Sequence, residues 1–117
     1  MAASRRRCAT PGLILQAVES PPAESQALFR LGFTASRKVG GAVQRNRARR
    51  RLRAAAAAVM PTHAVCGMDY VLVARADTVT RPFQALLGDL ERAMRRLRMW
   101  RGGGDAGGHE VAAKAER

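Results

Sequence analysis

From Ser25 to Met68 the chain has no aspartate or glutamate, a gap of 44 residues. Other chemistry-bearing residues are also scarce. Cys8 and Cys66 are the only cysteines, too few for a disulfide framework or a zinc site, so a reducing, cytoplasmic setting is expected. His63 and His109 lack the spacing of a zinc ligand set, and no two carboxylates pair for acid–base work. No catalytic residue and no metal ligand is therefore assigned to the polypeptide. Aromatic residues make up 4%, which argues against recognition by an aromatic stacking platform. The longest apolar run, Ala54 to Met60, is far below the roughly 20 residues that cross a bilayer. The short apolar stretch Leu13 to Val18 behind Arg5–Arg7 has neither the length nor the cleavage site of a signal peptide. No membrane partner is expected.

What the chain does have is positive charge. Lysine and arginine number 21 against 9 acids, a formal charge of +12 on 117 residues. With 47% apolar residues the chain can also bury a core, so this is one basic domain and not a disordered polycation. The acid-free gap holds Arg30, Arg37, Lys38, Arg45, Arg47, Arg49, Arg50, Arg51 and Arg53, whereas acids and bases mix elsewhere. One basic face and a polyanionic partner follow.

Residues 12–18 read as a strand closed by the turn-like Glu19-Ser20-Pro21-Pro22. Residues 28–36 read as a second, with Leu31, Phe33 and Ala35 on one face and Gly32, Thr34 and Ser36 on the other. Gly40 and Gly41 are read as turn glycines, an anion-binding helix start being the other reading, before a helix from about Ala42 to Met60 that Pro61 stops. Tyr70 to Ala74 reads as a buried strand. Phe83, Leu86, Leu87, Leu90, Met94 and Leu97 form one apolar helical stripe, with Pro82 in the first turn and Thr80 placed to cap it. This order defines an α+β fold, with helices packed on a small mixed sheet. The domain is expected over residues 8–100, after a short disordered or truncated start at 1–7 and before a flexible glycine-rich tail at 101–117.

In the long helix Ala48, Leu52, Ala55, Ala56 and Val59 share the packing face, and Arg47, Arg50 and Arg51 lie on the far side. Asn46, Arg50 and Arg53 make a neighbouring row, while Arg45 projects toward a rim or cleft. Asn46 can serve RNA, water or a local backbone group. Six arginines in nine residues repel one another and have no acid at i+4. A dense phosphate array relieves that repulsion.

The segment Arg30-Leu31-Gly32-Phe33-Thr34-Ala35-Ser36-Arg37-Lys38-Val39-Gly40-Gly41-Ala42-Val43-Gln44-Arg45-Asn46-Arg47-Ala48-Arg49-Arg50-Arg51-Leu52-Arg53 closely resembles the signature of the bacterial ribonuclease P protein component. Asp69 to Arg75 is similar to the family's following strand, and Phe83 to Leu97 to its last helix. The resemblance implies an α–β sandwich with a left-handed β-α-β crossover. It also implies a protein subunit that binds a catalytic RNA and helps remove the 5′ leader of precursor tRNA. Hydrolysis, with Mg²⁺, would belong to the RNA and not to the protein. Carried over by position, Arg45, Asn46, Arg47, Arg49, Arg50 and Arg53 would face RNA, with Arg37 and Lys38 at the helix entrance. Gln16 would lie beside a leader cleft between this helix and the sheet. No obligatory protein partner is implied.

Three departures from the pattern stand out: Ala54 for an acidic or amide residue, Arg51 for an apolar one, and too few leading residues for the family's first helix. An upstream start is expected, because loss of that helix would expose an apolar sheet face. A structural ribosomal protein or a general RNA chaperone shares the same basic helix and small fold, and is the alternative.

Overall fold

Alternating burial builds the sheet. The computed structural model describes residues 5–19, 28–101 and 112–115. Its elements are β1 (Arg5–Ala9), β2 (Leu13–Glu19), β3 (Leu28–Thr34), α1 (Ala42–His63), β4 (Met68–Ala74), α2 (Phe83–Arg96) and β5 (Ala112–Ala115). Short 3-10 helices at Arg37–Val39 and Ala76–Thr78 lead into α1 and follow β4. The strand order is β1-β2-β4-β3-β5; β1–β2 and β2–β4 are antiparallel, β3–β4 and β3–β5 parallel. The chain thus crosses from β3 through α1 to its parallel neighbour β4, which makes the sheet mixed, as expected.

One face of this sheet carries Leu13, Leu15, Ala17, Phe29, Leu31, Phe33, Met68, Tyr70, Leu72 and Ala74, all buried. Both helices cover it. From α1 come Ala48, Leu52, Ala55, Ala56 and Met60, and from α2 Leu86, Leu90, Ala93 and Met94. The small alanines let α1 lie close to the strands, and the apolar stripe of α2 fills the remaining space.

Several expectations are corrected. Arg5–Arg7 belong to β1 and are not a disordered start; they extend the sheet through the register Arg5↔Val18, Arg6↔Ala17 and Arg7↔Gln16. Helix α1 runs past Pro61 to His63. The missing proline N–H deprives only the Ala57 carbonyl, and both residues are exposed, so water can serve it. His63, stacked on Trp100 at 3.8 Å between ring centroids, holds that last turn in place. Thr80 does not cap α2; Pro82 occupies the N-cap with no side-chain cap bond. Ala112–Ala115, expected in a flexible tail, pair with β3. Met1–Ser4, the turn residues Ser20–Pro22, and tail residues 102–111, 116 and 117 lie outside the described residues.

Two buried polar groups tie the α2 end of the fold together. Thr78, fully buried, donates to the Gly12 carbonyl (2.6 Å) and accepts from the Arg75 N–H (2.8 Å). Asp89, also fully buried, accepts a forked pair from Arg81 (2.5 and 3.1 Å) and a longer contact from Arg92 (3.3 Å). The bound carboxylate holds the Arg81 guanidinium above its already high ordinary pKa. Gly12 is needed beside it, because a Cβ there would collide with Asp89 Oδ2.

Tyr70, the only tyrosine, donates to the Val65 carbonyl at 2.7 Å, and burial pushes its phenol well above the usual range. The unfolded chain releases that proton near pH 10 while the folded chain keeps it. Stability is therefore expected to fall as pH rises above about 10, through the window between the unfolded and folded values. Denaturation midpoints against pH should show this loss, and Tyr70→Phe should flatten it. An equal loss in the variant would clear Tyr70 of the effect.

Candidate nucleic-acid interface

Helix α1 starts with an electrostatic surplus. Its N-terminal dipole end is positive, no acid lies in its first turn, and its N-cap, Gly41, offers no side-chain acceptor. Arginines then crowd the first three turns, and packing sorts them into distinct roles. Arg47 and Arg50 are exposed and make no side-chain hydrogen bond or ion pair among the described residues. Arg49 Nη2 donates to Asn46 Oδ1 at 2.7 Å, so Asn46 orients a neighbouring guanidinium and not a backbone group. Arg45, half-buried, turns back to donate to the Gly40 carbonyl (3.1 Å). Arg37 and Lys38 are exposed on the 3-10 turn that enters the helix, which Ser36 caps by accepting from the Lys38 N–H.

Arg51 and Arg53 depart from the expected arrangement. Arg51 is not on the free face: its guanidinium donates to the Thr78 carbonyl (2.9 Å) and to the Arg81 carbonyl. An apolar residue at that position could not make this clamp. Arg53 lies over the Phe33 ring at 5.4 Å, with its Nε buried and without a hydrogen-bond partner among the described residues. The cation–π contact leans Arg53 onto the Phe33 ring of β3.

Gln16 is found elsewhere. Among the described residues the seam between α1 and the sheet is filled with fully buried side chains. Gln16 instead sits on the opposite sheet face, which no helix covers among the described residues. That face carries the half-buried Ile14, Val18, Val71 and Val73, with Gly32 opening the floor opposite Val71. Two shallow grooves cross it. One, of about 320 Å³, runs over Arg30, Gly32, Asp69 and Val71; the other, of about 180 Å³, runs over Gln16, Val18, Asp69 and Val71. Between them Arg30 and Asp69 form a forked ion pair at 2.9 and 2.6 Å. Arg7 lies beside Gln16 in the register.

Arg7, Arg30 and Asp69 were not singled out by sequence reasoning. The strand alternation contained the signal, since residues flanking Leu31 and Tyr70 must point away from the core. Among the described residues no three His, Cys, Asp or Glu side chains are grouped to hold a metal, and no helix is long and apolar enough to cross a membrane.

Solved structures define the class. The RNase P protein of Staphylococcus aureus superposes with a TM-score of 0.66 at 21% identity, over 83% of this chain and 84% of that one. The RNase P protein from Thermotoga maritima gives 0.65 at 18% identity, over 80% and 84%. The fold is the α–β sandwich of RNase P proteins.

Sequence then gives the family. Residues 1–98 match the family model for Ribonuclease P. The ribonuclease P protein component of Paramagnetospirillum magneticum is 53% identical over 98 residues, 83% of this chain and 74% of that protein. That of Ruegeria pomeroyi is 50% identical over 97 residues, 82% and 77%. The chain belongs to the ribonuclease P protein component family. Membership implies association with the ribonuclease P RNA and a place in tRNA processing as part of an endoribonuclease.

Proposed function

We propose that the chain acts as the RNA-binding subunit of ribonuclease P, gripping the catalytic RNA through α1 and the 5′ leader of precursor tRNA through the open sheet face. The observation that carries this reading is the pair of exposed guanidiniums at Arg47 and Arg50 on a helix face without a neutralising acid. Phosphates relieve the mutual repulsion there, and each contact releases counterions. Arg45, Asn46 and Arg49 set the flank of that surface, and Arg37 and Lys38 its entrance. The open face suits a single strand: Val18 and Val71 offer apolar contact to bases, and Gln16 offers a donor and an acceptor. Arg7, exposed beside Gln16, supplies charge for the backbone.

In this reading the protein lowers phosphate repulsion between leader and catalytic RNA, and so favours precursor over mature tRNA. Bond cleavage, with its Mg²⁺, is the RNA's. The chain's own part is binding and orientation.

The test is reconstitution with the catalytic RNA at low magnesium, following 5′ processing. Adding the protein should restore cleavage, and affinity should rise with leader length. Gly32→Glu probes the groove, because a Cβ at Gly32 meets only ordinary contacts, Val71 at 3.8 Å and the Tyr70 carbonyl at 4.0 Å. The added carboxylate is expected to lower the leader-dependent gain roughly tenfold by like-charge repulsion, with binding of the catalytic RNA unchanged. If leader length never mattered, or mattered equally in the variant, the open face would not be the leader site.

A further inference from the structure

A second arginine cluster stands at the other end of the helix pair. At the C-terminal end of α2 are Arg92, Arg95, Arg96, Arg98 and Arg101, joined from β1 by Arg6, whose guanidinium donates to the Leu97 carbonyl at 3.0 Å. Among the described residues the nearby acids are Asp89, buried on Arg81 and Arg92, and Glu91, paired with Arg95 at 2.9 Å. Arg96 and Arg98 are exposed and have no side-chain partner among the described residues. A helix C-terminus attracts cations, but its dipole supplies only about half a negative charge, which cannot balance six arginines against two acids.

We infer that this cluster is a second RNA-backbone site, separate from the α1 face, so that the protein bridges two phosphate tracks of its RNA. The inference rests on the reading that the chain binds the catalytic RNA, and adds a place and a geometry to it. The separation follows from the helices. Arg51 on α1 is tied to Thr78 and Arg81 just before α2, and Ala64 after α1 bridges to Trp100 after α2. The two helices therefore run side by side in the same direction for the 13 residues from Arg51 to Ala64, about 20 Å of rise. At about 3.4 Å per phosphate along one strand, that gap corresponds to roughly six nucleotides, too far for one guanidinium group to serve both sites.

The cluster contains its own reporter. Trp100, the only tryptophan, is stacked on His63 and has the Arg95 guanidinium 4.7 Å over its ring. A phosphate held by Arg96 and Arg98 draws on Arg95 as well, and so changes the surroundings of the indole.

The experiment titrates the intact protein with ribonuclease P RNA across a salt series, reading affinity and Trp100 emission together. Arg96→Ala/Arg98→Asn is the variant; asparagine tolerates the positive φ of 63° at position 98. Both side chains are exposed, so its melting curve should match the wild type and certify folding. The log–log salt slope is expected to become shallower by about 1.4 to 1.8, two contacts' worth. The RNA-induced change in Trp100 emission should be lost in this variant and kept, at low salt, in Arg47→Ala/Arg50→Ala. An unchanged slope in the α2-end variant, or wild-type emission unmoved at saturating RNA, overturns the second site. Loss of slope in the α1 variant alone would leave the α1 reading standing and remove this one, whereas wild-type protein that fails to bind at all would remove both.

Discussion

Replacing Arg47 and Arg50 together by alanine is expected to cost ribonuclease P RNA binding more at low salt than at high salt. These two exposed α1 guanidiniums have no side-chain partner among the described residues, so no contact described within the protein is lost with them. Alanine favours helix, and removing two like charges from an acid-free helix should leave the melting temperature unchanged or raised. If each arginine covers one phosphate, the salt slope shrinks by about 1.8. Between about 50 and 200 mM salt, a log interval of about 0.6, the wild type should then lose roughly tenfold more affinity than the variant. Equal salt dependence in the two proteins would take Arg47 and Arg50 out of the interface. Arg51→Ala is the contrasting case: it should lower stability, because its guanidinium serves two carbonyls of the fold.

The second large effect concerns stability alone. Arg81→Ala leaves the fully buried Asp89 carboxylate with only the 3.3 Å contact to Arg92. A buried charge stripped of its main partner is strongly destabilising, and a fall of roughly 10 °C in melting temperature is expected for a domain of this size. Adding Asp89→Leu to that variant should recover part of the loss, because an apolar residue needs no partner there. A variant melting at the wild-type temperature would show that the forked pair contributes nothing.

Elements with a strong period were legible in the sequence, and those made by tertiary contact were not. The burial of Leu31 and Phe33, the apolar stripe of α2 and the packing face of α1 through Ala48 and Leu52 all follow from spacing. Strand β1 was missed because three successive arginines show no alternation; the sheet edge recruits their backbone, and charged side chains suit such an edge. The end of α1 was missed because a proline in the last turn costs only one bond, and Trp100, distant in sequence, holds that turn. Arg51 and Arg53 looked equivalent to Arg47 and Arg50 on a helical wheel. A wheel cannot show the carbonyls of Thr78 and Arg81 or the ring of Phe33. The buried state of Asp89 was hidden for the same reason, since its partner Arg81 lies eight residues away and off the helix. Gln16 was correctly placed on a strand, but the side of the sheet it occupies depends on where the helices pack.

The Arg51 clamp has a mechanical consequence. A rod packed by small alanines has little to stop it rolling about its long axis, since alanine faces are nearly smooth. One guanidinium anchored to two carbonyls of a neighbouring segment acts as a key in a shaft, fixing the azimuth of every side chain along it. Arg47 and Arg50 therefore meet their ligand already aimed, and less orientational freedom has to be surrendered on docking.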